Sequence, residues 1–167
     1  MAITNHERVG KVLELLKEGL RPFIEREFKN CFRDKALNEA SRFLKDDLNI
    51  VNQPLANWDA AALLKLMWES WNDVFRKPLG AAERSLVNEL RTVRNDWAHQ
   101  KPFSSDDAYR ALDSAARLLT AVSASQAGEI DKMKTELLRL RFDEQVRGEK
   151  RKSAGIAIES STTANLK

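Results

Sequence analysis

The sequence predicts an all-α protein, an antiparallel bundle of about five to six helices, and three observations lead to this fold class. Helix-forming residues such as Ala, Leu, Glu, Lys and Arg dominate the 167 positions, against only six Gly and four Pro. Apolar residues recur at helical spacing in several separate stretches, and no stretch alternates apolar and polar residues as a strand would. Short connections between these stretches favour antiparallel neighbours.

Size and composition indicate one domain with a core rather than two large ones. The formal net charge of +3 permits a phosphate-bearing partner without requiring one. A single cysteine, Cys31, excludes an internal disulfide, and two histidines are too few for a structural zinc set, so we expect no metal and no cofactor. The N-terminus has no apolar signal core and no apolar run is long enough to span a membrane, so we expect a cytoplasmic protein without a membrane partner.

The first helix is expected to begin at an N-cap, Thr4 or Asn5, and to carry an apolar stripe towards Phe28. Pro22 is expected to kink or divide it. Between Asn30 and Asn57 the sequence predicts only a short helix over about 35–45 and leaves the fold open.

A third helix is expected to start after the N-cap Asp59 and to end before Pro78. The fourth, Ala81 to His99, has a buried stripe at spacings of four, three and four: Leu86, Leu90, Val93 and Trp97.

Ser104 precedes the next helix at capping-box spacing from Asp107. The last helix is expected over about 127–147, with heptad spacing and densely charged outer faces. Residues 1–147 are therefore expected to form the helical domain. Residues 148–167, which begin with a basic run and then turn small and polar, are expected to form a disordered tail or linker.

A polar set stands at the end of the fourth helix: Arg94, Asn95 and His99. Asn95 and His99 are four apart and share a face, and the long side chain of Arg94 can reach the same spot. An imidazole moves protons near neutral pH, and a guanidinium stabilises charge building on a phosphoryl group. With an amide to orient one or the other, these groups could cleave RNA by attack of its own 2′-hydroxyl.

Such a reaction needs one group to accept a proton and another to donate one. His6 is expected in the first turn of a distant helix, so the chain offers only one histidine at this site. A symmetric homodimer with its motif helices face to face would supply two.

A plainer interpretation stays open on the residues alone. A histidine at a helix C-terminus commonly hydrogen-bonds the free carbonyls there. Arg94 could equally pair with Asp96 or Glu89 at the surface.

The run Arg94 to His99, RNDWAH, resembles the signature of the HEPN family, in which an Arg is followed after four to six residues by a His, with a polar residue behind the Arg. The stretches NHERVGKVLELLKEGLRPFIERE, WDAAALLKLMWESWNDVFRK and PFSSDDAYRALDSAARLLTAVSA further resemble the Swt-type HEPN branch. The similarity covers about residues 4 to 152.

The resemblance implies a dimeric helical bundle acting as a metal-independent endoribonuclease that leaves 2′,3′-cyclic phosphate ends. His99 would then act in proton transfer, Arg94 on the scissile phosphate, and Asn95 in positioning. RNA, with tRNA among the candidates, is the implied substrate, and phage defence or stress response the implied setting.

Other HEPN domains are non-catalytic modules for dimerisation or RNA binding. The Swt-type branch resembles the head of longer bacterial proteins with a later ATPase domain, so an ATPase partner or a missing C-terminal ATPase domain is also implied, and the chain could be a fragment. Plain RNA binding is a third reading, with the basic run Lys150, Arg151 and Lys152 as a weaker contact.

Overall fold

A computed structural model describes the backbone of residues 3–51 and 53–165 and the side chains as far as residue 155. Within these residues there are six α-helices and no strand, which confirms the all-α prediction. The first helix contacts each of the other five, so it forms the centre of the bundle. None of the helices in the described part of the chain is both long and apolar enough to cross a membrane.

Helix α1, Asn5–Phe32, begins where the side chain of Thr4 accepts a hydrogen bond from the backbone of Glu7. It continues through Pro22, so of the two expected effects of Pro22 the division of the helix is wrong, and the kink stays a prediction. A proline inside a helix costs about 3 kcal/mol, whereas burying one large apolar side chain contributes about 1.5–3 kcal/mol. Leu20, Phe23 and Ile24, which flank Pro22, are all buried, and their packing outweighs the lost hydrogen bond.

The stretch left open by the sequence contains a 3₁₀ turn, Arg33–Lys35, and then helix α2, Ala36–Phe43, which confirms the predicted short helix. The segment that follows returns to the core at Trp58, which is fully buried. The indole of Trp58 donates a hydrogen bond to the backbone carbonyl of Gln53, so its polar atom is satisfied.

Helix α3, Ala60–Glu69, starts at the predicted cap, since a carboxylate oxygen of Asp59 accepts from the backbone of Ala62 at 2.9 Å. It was expected to run on towards Pro78. The α-helical pattern instead gives way to a π-helical turn, Trp71–Phe75, in which Trp71, Val74 and Phe75 are buried. The ring of Phe75 packs against Phe23 and Phe28 of α1.

Helix α4, Ala81–Ala98, packs against α3 and α5, Ser105–Ala121. Ser104 and Asp107 form the predicted capping box, and the hydrogen bonds from Ser104 lower the pKa of the Asp107 carboxyl.

Helix α6, Gln126–Asn165, packs along α5 and extends past its predicted end at Arg147. At 40 residues it is about 60 Å long. Its buried side chains, Ile130 and Leu137, both lie in its first part. The stretch 148–165 is helical, although its small and polar composition indicated an irregular tail. Ala and Ser are compatible with a helix, so composition alone does not distinguish a helix from a tail here. Residues 166 and 167 of that expected tail lie outside the described residues, and the division into domain and tail stays a prediction.

Candidate functional site

Helix α4 is anchored by the predicted apolar stripe. Leu90 is fully buried, and Leu86, Val93 and Trp97 are partly buried against the core. Val87, which the stripe did not include, is also fully buried. This anchoring fixes which side of the helix faces outward.

The helix ends where expected. His99 is the C-cap residue, and its backbone N–H donates to the carbonyl of Asn95 at 3.0 Å. Gln100 then adopts a positive φ of 55°, and Pro102 follows two residues later. The chain therefore leaves the helix axis directly after His99.

The three predicted site residues lie at this one end of α4. Asn95 and His99 are exposed, and the Arg94 side chain is 29% exposed and points towards α3. Within the described part of the chain no hydrogen bond joins these three side chains to one another. The structure thus brings them to one surface without assembling them into a bonded network.

Arg94 has a partner that the sequence did not suggest. Its Nη2 lies 3.3 Å from Oδ2 of Asp59, the residue whose other oxygen caps α3. The two expected partners are engaged elsewhere, since Asp96 pairs with Lys101 and Glu89 with Arg110, so that part of the plain interpretation is wrong. A guanidinium has five N–H donors. A single contact leaves most of them available to another anion.

The position of His6 corrects a sequence-based expectation. His6 was expected on a distant helix, which is wrong: its ring stacks on Trp97 of the motif helix, with centroids 5.3 Å apart and planes 12° apart. Its Nε2 lies 3.1 Å from the Trp97 carbonyl, and the Trp97 indole N–H donates to the His6 carbonyl, also at 3.1 Å. Both histidines of the chain are therefore close to the end of α4.

Gly10 permits this contact. A Cβ at position 10 would lie 3.0–3.2 Å from three atoms of the Trp97 indole, closer than nearly all real contacts. Because His6 and Gly10 are four apart, they share one face of α1. The spacing of His6 and Gly10 is visible in the sequence, but nothing in it identifies Trp97, 91 positions away, as the partner.

The loop after the motif is held from the same side. The Asn5 side chain donates to the backbone carbonyl of Phe103 at 3.1 Å, and its oxygen accepts from Arg8 at 2.5 Å. Arg8 is only 7% exposed. The first turns of α1 thus fix both the end of α4 and the chain that leaves it, a role that the sequence did not reveal.

The chemical capacity of this surface follows from its groups. An exposed imidazole is the side chain best suited to accept or donate a proton in such a reaction. A guanidinium beside it can bind a phosphate, and an amide can orient either group. In the described part of the chain there is no group of three or more His, Cys, Asp or Glu residues that could hold a metal ion.

The chain matches a known protein family. The family model for the Swt1-like HEPN domain matches residues 11–123, about two thirds of the chain. The match includes Arg94, Asn95 and His99 and begins after His6. Comparisons with curated proteins and with solved structures gave no match.

Proposed function

Because the chain belongs to the Swt1-like HEPN family, we propose that it is a metal-independent endoribonuclease that acts as a homodimer through Arg94, Asn95 and His99. The observation that carries the proposal is the exposure of an imidazole and an amide at the same helix end as a guanidinium that is already oriented by Asp59. Phage defence or stress response, in the cytoplasm, is the setting we propose, with tRNA among the candidate substrates.

The reaction is an internal phosphoryl transfer. The 2′-oxygen of the RNA forms a bond to the neighbouring phosphorus while the bond from phosphorus to the 5′-oxygen breaks. The 2′-hydroxyl loses a proton and the departing 5′-oxygen gains one, so the products carry a 2′,3′-cyclic phosphate and a 5′-hydroxyl. His99 transfers a proton, and the guanidinium of Arg94 stabilises charge on the phosphate.

A dimer supplies what one chain lacks. His6 has its Nε2 at the Trp97 carbonyl and its ring against the indole, so it is engaged in holding α4. His99 is then the one histidine per chain that is exposed at the motif. Two chains with their motif helices facing each other would place one His99 as base and the other as acid.

The test is cleavage of a mixed pool of tRNA and other RNAs in EDTA, followed by analysis of the 3′ ends. We expect wild-type protein to produce cyclic phosphate ends. His99→Ala and Arg94→Ala should each reduce cleavage by at least about 10²-fold, the usual contribution of a proton-transfer group for His99 and of a group that stabilises transition-state charge for Arg94. Arg139→Ala, which removes an exposed arginine of α6, is the matched control and should cleave normally. Undiminished cleavage by His99→Ala would show that the site is elsewhere.

One observation favours a second candidate function, a non-catalytic module that dimerises or docks an ATPase partner. Leu138 and Phe142, four residues apart on α6, are 47% and 65% exposed. Exposed large apolar residues side by side are typical of an interaction surface. A stable dimer by light scattering, without cleavage of any RNA and unaffected by Arg94→Ala, would favour this function over the nuclease.

A further inference from the structure

The outward face of α4 continues the site towards the start of the helix. Four of its residues precede His99 at spacings of four, three, four and four, and they lie nearly in line along the helix: Arg84, Asn88, Arg91 and Asn95. Asn88 and Asn95 are exposed, and Arg84 and Arg91 are partly exposed. We call these four residues the α4 track. The distance along the helix from Arg84, where the track begins, to His99 beyond its end is about 22 Å at 1.5 Å per residue.

The acidic residues of α4 lie off the track. Glu89 pairs with Arg110 of α5 and Asp96 with Lys101, and both lie about 100° or more around the helix from the track. Glu83 is about 100° from Arg84 on the same argument. Of the described residues, none places a carboxylate within 4.0 Å of the cationic atoms of Arg84 or Arg91, so their charges are uncompensated by an ion pair.

Arg84 is held rigidly at the far end of the track. Its guanidinium carbon lies 4.3 Å from the centroid of the Trp68 ring, a cation–π contact with α3. Its Nε is buried and has no hydrogen-bond partner among the described residues. Because this guanidinium is partly removed from water and lacks an ion pair, binding an anion stabilises it more than it would stabilise a freely hydrated arginine. Lys65, three residues before Trp68 on the same side of α3, adds a further positive charge.

We propose that the α4 track binds the phosphate backbone of single-stranded RNA, with Arg91 and Arg84 each contacting a phosphate upstream or downstream of the bond at His99. Cations spaced along one ridge, with amides between them, suit a polyanion rather than a single phosphate. The inference rests on the proposed function in one respect only, the choice of RNA as ligand. Its consequence is that the enzyme holds several nucleotides on one side of the cleaved bond.

The experiment measures binding rather than cleavage. A fluorescently labelled 12-nucleotide oligouridylate is titrated with full-length protein carrying His99→Ala, at several NaCl concentrations. Arg84→Ala and Arg91→Ala are made in that background, with Arg76→Ala and Arg139→Ala as controls that remove an exposed arginine off the track. Circular dichroism and light scattering establish that each variant is folded and has the parent's oligomeric state.

On single-stranded nucleic acid, each phosphate contact contributes about −0.7 to the slope of log K against log salt. A variant that loses one contact should therefore show a slope less steep by about 0.7, which corresponds to about fivefold in affinity over the decade from 1 M to 0.1 M salt. We expect this change for each track variant and none for the controls. Arg84→Lys, which keeps the charge but loses the flat stacking on Trp68, should keep the slope and weaken binding by less.

Two results would overturn the proposal: track variants that bind like the controls, or parent protein that binds no RNA. A change of oligomeric state in the track variants without a change in salt slope would also overturn it, because the face would then be a protein interface. Binding that follows the track while wild-type protein fails to cleave would refute the nuclease and leave the track standing. RNA cleavage by wild-type protein, with track variants that bind RNA like the controls, would support the nuclease and refute the track.

Discussion

The contact between His6 and Trp97 gives a prediction whose size can be worked out from the structure. His6→Ala removes the hydrogen bond to the Trp97 carbonyl, a net loss of about 0.5–1.5 kcal/mol. It also removes the ring stack, a further loss of about 0.5–1.5 kcal/mol. The bond from the indole to the carbonyl of residue 6 survives, because it uses only backbone there. We expect the free energy of unfolding to fall by about 1–3 kcal/mol, which for a chain of this size lowers Tm by about 2–12 °C.

Urea unfolding of wild type, His6→Ala, Trp97→Leu and the double variant measures the coupling between the two rings. Residues in direct contact couple by about 0.5–3 kcal/mol. Lys11→Ala, an exposed change on the same helix, is the control and should lie within about 0.5 kcal/mol of wild type. Additive effects of the two substitutions would refute the stacking contribution, because both hydrogen bonds of the pair end on backbone carbonyls and the coupling therefore reports the stacked rings alone.

Two further predictions concern packing and pH. A Cβ at Gly19 would lie 2.6 Å from a methyl carbon of Leu119, so Gly19→Ala should destabilise the fold by about 1–3 kcal/mol in urea unfolding, whereas Gly128→Ala, with nothing within 4 Å, should stabilise it slightly. A neutral result for Gly19→Ala would mean that α1 and α5 are less closely packed. Lys134 and then Arg117 lower the pKa of Asp113, so this carboxylate stabilises the fold above its unfolded pKa of about 3.9 and loses that effect as the pH falls through the lower folded value. The urea midpoint of Asp113→Asn should therefore change less than that of wild type as the pH is lowered from about 6 to 2.5, and parallel curves would contradict this.

Local rules predicted the helices and their starts. Thr4, Asp59 and Ser104 each cap a helix because a side-chain oxygen accepts from a backbone N–H only three residues away, so the sequence contains the whole interaction. The apolar stripe of α4 is local in the same sense. The grouping of Arg94, Asn95 and His99 at one helix end could be predicted for the same reason.

Contacts between residues far apart in the sequence could not be predicted from these local patterns. Arg94 had two acidic residues near it in sequence but pairs with Asp59, 35 positions away, because the packing of α4 on α3 brings that carboxylate closer. His6 and Trp97 are 91 positions apart. The length of α6 was missed for a different reason, since a helix segment with little apolar patterning has the composition of a loop.

The two carboxylate oxygens of Asp59 have different partners, and this affects how easily Arg94 is released. Oδ1 holds the start of α3, and Oδ2 holds the guanidinium. An anion that draws Arg94 away therefore breaks only a partly exposed ion pair, which costs about 0–1 kcal/mol, and does not unravel the helix. Before an anion binds, the contact with Asp59 holds the Arg94 side chain in one orientation. Much of the roughly 2 kcal/mol of rotamer entropy of an arginine is therefore already lost in the free protein. Asp59 thus orients the Arg94 guanidinium through an ion pair that is weak enough for a bound anion to replace.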